Sequence, residues 1–156
     1  VDVPSLFTDR ETAFLEALVV EGVDFLVVGL AAAALQGAPA VTQDVDLWFA
    51  DLTDSRFRTA LERAGVTYIP PTAATPPLLA GGGTELFDIV VHMHGLGTFR
   101  EEAANAVRVQ IGRVPIPALP LSRILVSKRA TGRPKDLAII PALEDAIRAG
   151  GQRSSH

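Results

Sequence analysis

The sequence predicts an α/β (α+β) fold: a mixed β-sheet packed with helices, ending in further C-terminal helices. Three observations carry this. Residues 25–28 and 86–93 are short apolar runs of strand length, and residues 44–49 alternate strictly between polar and apolar. Segments with helical periodicity and recognisable caps lie between these runs. The chain has 156 residues, 48% hydrophobic and 21% charged, which suits one folded domain and excludes a disordered chain. We expect a single domain over residues 1–150 and a disordered tail over 151–156.

The elements follow in order. Thr8-Asp9-Arg10-Glu11 fits a capping box, in which hydroxyl and carboxylate each satisfy a free backbone N–H. Ala13, Phe14, Ala17 and Leu18 then form one apolar face, and Gly22 stops the helix. The strand at 25–28 ends at Gly29, and an alanine-rich helix over 30–35 closes at Gly37. The strand at 44–49 puts Asp44, Asp46 and Trp48 on one face and Val45, Leu47 and Phe49 on the other. Thr53 or Ser55 caps a helix running to Ala64, with Gly65 as its stop. A short strand at 66–69 leads into a long loop, 70–83, with four prolines, a triple glycine and an extended piece at Leu78-Leu79. After the strand at 86–93, Thr98 opens a second capping box, and 107–111 with 114–116 reads as a hairpin around Gly112-Arg113. Ser122 caps a helix through Ala130, and a last helical region begins near Lys135, is kinked or split at Pro141 and frays after Ala149.

Composition excludes several function classes. There are no cysteines, so disulfides and thiolate metal sites are ruled out. A net charge of -4 and a pI near 5.3 argue against a broad nucleic-acid surface. Mean hydropathy is +0.29, but no apolar run reaches the ~18 residues of a membrane span. We expect no membrane partner, no secretory signal in the opening residues, a trimmed start in place of Met, and a cytoplasmic location.

The chemistry centres on Asp44-Val45-Asp46. Carboxylates at i and i+2 of a strand share a face, roughly 6.5–7 Å apart along the backbone. Aspartate is depleted in strand interiors and its charge is costly to bury, so two facing one way call for a cation, unless both are solvated at a strand edge. Asp88 interrupts a second apolar strand and would complete a cluster of hard oxygen ligands suited to Mg²⁺ or Mn²⁺. The strand–turn–helix at Gly29 lets backbone N–H groups approach a phosphate, although such a glycine is common in any β–α turn. His92 and His94 fall on the same strand face as Asp88, at i+4 and i+6; they read as strand-end residues, substrate contacts or part of a zinc site. Trp48 either stacks on a base or packs in the core. Gly81 to Gly83 lack the Lys-Ser/Thr of a P-loop and read as a flexible turn.

In combination these features resemble the DNA polymerase β-type nucleotidyltransferase superfamily, and within it the small bacterial nucleotidyltransferases that include AbiEii-like toxins. The resemblance rests on Val28-Gly29 before a short helix, then Thr42-Gln43-Asp44-Val45-Asp46-Leu47, then Asp88. It is completed by Ser127-Lys128-Arg129-Ala130 and Arg133-Pro134-Lys135-Asp136-Leu137, and it spans about residues 8 to 148. Leu30 departs from the pattern where relatives carry Ser or Gly, Ala40 where many carry Arg, and Ile139 where an acid often follows.

The resemblance implies transfer of a nucleoside monophosphate from an NTP to a hydroxyl on RNA, protein or a small molecule. It also allows a toxin paired with an antitoxin protein. Asp44, Asp46 and Asp88 would be the catalytic and metal-binding residues, with Asp88 holding a second ion or accepting the hydroxyl proton. Gly29, Leu30, Thr42, Lys128 and Arg133 would bind the nucleotide. From the residues alone, Lys128 reads equally as a solvated helix lysine, Arg133 and Lys135 as charges complementing a helix end, and Asp136 as a cap. The rival reading is a catalytically degenerate module that keeps the fold and binds a nucleotide or a partner.

Overall fold

The computed structural model describes residues 7–154. Its helices and strands begin where local chemistry places them. Helix α1 (Asp9–Val20) carries both arms of the capping box: Glu11 N–H donates to the Thr8 hydroxyl, and Thr8 N–H donates to the Glu11 carboxylate. Strand β1 (Phe25–Val28) is buried along its whole length and passes directly into helix α2 (Gly29–Leu35). Strand β2 (Val45–Phe49) follows, then helix α3 (Ser55–Ala64). The cap of α3 is Asp54, not Thr53 or Ser55. Its carboxylate accepts from Arg56 N–H, while the Thr53 hydroxyl turns back to Asp51.

Strands β3 (Thr67–Ile69) and β4 (Leu78–Ala80) form a small antiparallel pair, so the extended piece at Leu78-Leu79 has a partner. Strand β5 covers only Phe87–Val90, shorter than the 86–93 expected. Its ladder runs along β2, and the register ends at Trp48↔Val90. Beyond that point Val91 is 62% exposed, and His92 and His94 leave the sheet, so they do not share a strand face with Asp88. Helix α4 (Phe99–Ala103), the hairpin β6 (Val107–Ile111) and β7 (Val114–Ala118), helix α5 (Leu121–Thr131) and helix α6 (Pro134–Ser154) complete the order.

Two helix expectations change. Helix α5 starts after Pro120, with no side-chain cap, and Ser122 lies within its first turn. Helix α6 begins at Pro134, runs unbroken past Pro141 and continues to Ser154, so it neither splits at the proline nor ends at Ala149. Proline is well suited to a first helical position. Pro141 removes one bond to the Leu137 carbonyl, on a turn whose side chain is half exposed, where water can replace the lost donor. Residues 155–156 of the expected tail lie outside the described residues.

Among the described residues the main sheet is five-stranded and mixed, in the order β5-β2-β1-β7-β6. β2 runs antiparallel to β1 and parallel to β5, and β1 runs parallel to β7. One face of β2 meets α1 and α3. Phe49 packs at a tilt against Phe57, 4.9 Å between ring centres, and Phe87, beside Val45 in register, meets Phe14 at 5.4 Å. The other face carries Asp46 and Trp48. Trp48 is 3% exposed and packs edge-on against Phe99, which makes it a core residue. Among the described residues no helix is long and apolar enough to cross a membrane.

Candidate functional site

The register of the sheet places the acids. Asp46 pairs with Asp88 across the parallel strands β2 and β5, so their side chains leave one face at neighbouring positions about 4.8 Å apart along the sheet. Asp46 also faces Val28 across the antiparallel pair with β1, which brings the start of α2 against it. Gly29 occupies that junction with a φ of +68°, and a Cβ added there would stand 3.1 Å from Asp46 Oδ2. A side chain is thus excluded twice, by backbone conformation and by the carboxylate.

Asp44 lies just before β2 in the loop. The Thr42 hydroxyl donates to the Asp44 carbonyl at 2.8 Å and accepts from its N–H at 3.3 Å, a local turn that fixes how the chain enters the strand. Thr42 therefore reaches the site by shaping its backbone. At the other end of α2, the Gln36 amide bonds the Ala32 and Leu119 carbonyls and ties the helix to the end of β7.

Asp44, Asp46 and Asp88 line a cleft of about 210 Å³ together with Leu30, Thr42, Lys128 and Arg133. The structure thus brings seven of the eight sequence-predicted residues into one cleft, and the eighth, Gly29, lies against Asp46 without lining it. Lys135, Asp136 and Ile139 complete the lining, so two of the three departures noted in the sequence, Leu30 and Ile139, form apolar parts of this wall.

Electrostatics sets the acids against one another. The Asp46 carboxyl is raised above the ordinary aspartate value, first by burial and then by the charge of Asp88; Lys128 pulls it back down in part. Loss of hydration, followed by the charge of Asp44, raises Asp88. A carboxylate destabilised by other carboxylates gains from a cation, and hard oxygen donors suit a divalent ion. Among the described residues, however, no three His, Asp or Glu side chains stand close enough together to chelate one ion. The three-carboxylate metal centre expected from the sequence is therefore present as a shared cleft, not a closed cage. Asp44 sits just before β2 in an exposed turn, outside the strand face that Asp46 and Asp88 share.

The cationic wall comes from the C-terminal helices. Lys128 lies in the last turn of α5, and Arg133 in the turn before α6. Both meet Asp136, which is 2% exposed. Arg133 donates through Nε at 2.6 Å and through Nη2 at 3.2 Å, while Lys128 Nζ lies at 3.4 Å. The Arg133 hydrogen bonds, outweighing burial, hold the Asp136 carboxyl far below the usual carboxylate range. Sequence reasoning named Asp136 within a motif and left it as a cap. The signal for more was an acid following two cations closely across a glycine turn.

The histidines gather elsewhere. His92 and His94 meet edge to face at 5.2 Å, and His94 lines a neighbouring hollow that shares Arg133 with the cleft. A buried pair unforeseen in the sequence, Glu102 with Arg123, is bidentate at 2.8 and 2.9 Å and also takes the Gly97 N–H.

The chain matches no protein-family model and no curated protein. Among solved structures it is similar to ANT(2")-Ia in complex with adenylyl-2"-tobramycin, at a TM-score of 0.59 and 15% identity over 89% of this chain and 88% of that one. It is also similar to an antigenic nucleotidyltransferase-like protein from Paracoccidioides brasiliensis, at a TM-score of 0.55 and 19% identity over 88% of this chain and 73% of that one. The likeness extends over nearly the whole chain in both cases, and the chain has the nucleotidyltransferase fold.

Proposed function

We propose that this chain is a cytoplasmic nucleotidyltransferase that moves a nucleoside monophosphate from an NTP to a hydroxyl acceptor. The observation that carries the reading is the pairing of Asp46 with Asp88 on parallel strands, in a cleft also lined by the cations Lys128, Arg133 and Lys135. Acids alone would repel a triphosphate and cations alone would only bind it. Their juxtaposition suits a reaction in which negative charge is gathered, redistributed and released.

In this reading the acceptor oxygen forms a bond to the α-phosphorus, the α–β bridging P–O bond breaks, and pyrophosphate leaves. Asp88, whose carboxyl burial and then the charge of Asp44 raise above the ordinary aspartate value, accepts the hydroxyl proton. Lys128 and Arg133 stabilise the charge that grows on the leaving pyrophosphate. Gly29 and the Leu30 N–H line the approach of the phosphates. Because no three carboxylates among the described residues stand close enough to chelate one ion by themselves, Asp44, Asp46 and Asp88 would hold Mg²⁺ or Mn²⁺ together with the phosphate oxygens of the nucleotide, and the ion would supply charge neutralisation at the attacking and leaving oxygens.

The acceptor is a small molecule in the form of this proposal that draws on one neighbour, ANT(2")-Ia, which is seen with an adenylylated tobramycin. An RNA or protein acceptor, and with it a toxin paired with an antitoxin, would use the same cleft. A second reading, a binding module without turnover, draws support from Leu30 and Ile139, which put apolar groups on a wall that handles phosphates. One experiment separates these. The protein is incubated with each α-labelled NTP, Mg²⁺, and either a panel of polyhydroxylated small molecules or a cell extract. Label should pass to one acceptor class and fail to pass with Asp46→Asn. NTP binding without transfer to any acceptor would establish the module instead.

A further inference from the structure

Three cations line the cleft, and two of them, Lys128 and Arg133, have a partner in common. Lys128 lies in the last turn of α5 with its side chain 17% exposed, and Arg133, 57% exposed, follows the turn at Gly132. What they share is Asp136. Its carboxylate takes the Arg133 fork through both oxygens and Lys128 Nζ through Oδ1. The backbone reinforces the arrangement, because the N–H groups of Asp136 and Leu137 both donate to the Arg133 carbonyl at 2.9 Å.

Satisfying a buried aspartate requires only the arginine, whose fork covers both oxygens. The third contact, from a lysine on a different helix, is surplus to that need. It does have a geometric effect, holding Nζ within electrostatic reach of Asp46, whose carboxyl Lys128 partly stabilises as the charged form.

We infer that Asp136 is a positioning residue for the triphosphate: it touches no substrate, but fixes Lys128 Nζ and the Arg133 guanidinium together on the α5–α6 side of the cleft. The inference rests on the nucleotide reading proposed above. It predicts an effect opposite in sign to simple charge. Deleting a negative charge beside a polyanion site should strengthen binding by long-range attraction, whereas loss of positioning weakens it.

The test is calorimetric titration with an NTP and with its monophosphate, on the wild type, Asp136→Asn, Lys128→Gln and the double variant. We expect Asp136→Asn to weaken NTP binding about tenfold, equivalent to about 1.4 kcal/mol, and to leave the monophosphate within about twofold. In the double variant the losses should fall short of additive, because Asp136 acts through Lys128. Tighter or unchanged NTP binding by Asp136→Asn, equal weakening of both nucleotides, or full additivity would overturn the inference. Should Asp136→Asn fail to fold, Arg133→Gln/Asp136→Asn removes the buried carboxylate together with its exposed arginine partner, and it should bind NTP more weakly than Arg133→Gln because Lys128 is then unheld; an affinity equal to that of Arg133→Gln would overturn the inference. Absence of nucleotide binding by the wild type would overturn the nucleotide reading itself. That result is distinct from wild-type binding that Asp136→Asn leaves intact.

Discussion

Replacing Gly29 by Ala probes the junction on which the acidic face depends. The backbone there has a φ of +68°, and the new Cβ would lie 3.1 Å from Asp46 Oδ2. Holding an L-residue in the left-handed region costs about 1–2 kcal/mol. For a domain of this size each kcal/mol lowers Tm by about 2–4 °C, so the backbone effect alone predicts a fall of about 2–8 °C. Gly65 supplies the control, since its φ is +70° and nothing stands within 4 Å of an added Cβ. Gly65→Ala therefore bears the same backbone cost without touching the acids. Addition of Mg²⁺ and NTP at a hundredfold excess over Kd should stabilise the wild type and Gly65→Ala by about 2.7 kcal/mol, or about 5–11 °C. In Gly29→Ala the Asp46 carboxylate must move by tenths of an ångström, and most of that rise should disappear. Thermal unfolding by circular dichroism, with and without ligand, reads both quantities. An equal ligand-induced rise in the two variants would refute the argument that Gly29 is kept small for the sake of Asp46.

Three further outcomes follow from the same geometry. Asp46 and Asp88 titrate above the ordinary aspartate value of 3.8, so above that pH the folded chain binds more protons than the unfolded one, and stability falls as pH rises through the folded values. Asp46→Asn should therefore raise Tm at pH 7 in EDTA and abolish the rise produced by Mg²⁺; a retained Mg²⁺ response would place the ion elsewhere. Asp88→Asn should keep NTP affinity while losing turnover by at least ~10²-fold, as single-turnover transfer assays would show, and transfer at the wild-type rate would remove Asp88 from the reaction. Glu102 titrates below its ordinary value because of Arg123, so its contribution is present above pH 4.5 and fades as pH falls through the folded value. Glu102→Gln should cost about 1–3 kcal/mol in urea unfolding at pH 7, and its curve should converge on that of the wild type in acid.

What the sequence disclosed was what neighbouring residues decide among themselves. Both capping boxes are local contracts between Thr and a Glu three residues on, and both formed. The acids were legible because a strand interior makes charge conspicuous, and the structure confirms that Asp46 and Asp88 share a face. Features set at a distance were harder to read. The end of β5 depends on how far β2 extends beside it, which nothing in residues 86–93 reveals, and so His92 and His94 were assigned to a face they do not occupy. Whether α6 continues through Pro141 turns on what surrounds the one backbone bond the proline removes, which the residues flanking it do not reveal. Asp136 shows the same limit within the site. Its sequence neighbours suggested a helix cap, whereas its environment is made by Lys128 from another helix. Glu102 and Arg123 likewise meet only after the hairpin between them has folded.

The parallel pairing of β1 with β7 has a consequence in time. Val27 lies beside Ala118, and the Leu119 N–H closes onto the Val27 carbonyl. During synthesis Asp44, Asp46 and Asp88 all emerge well before this closure, and before the helices that bring Lys128 and Arg133. A growing chain thus carries three mutually repelling acids beside an open edge of β1 for several seconds at ordinary elongation rates. The middle strand of the sheet thus waits for its second neighbour until about residue 119 has been made, and the cationic helices can close over the cleft only after that.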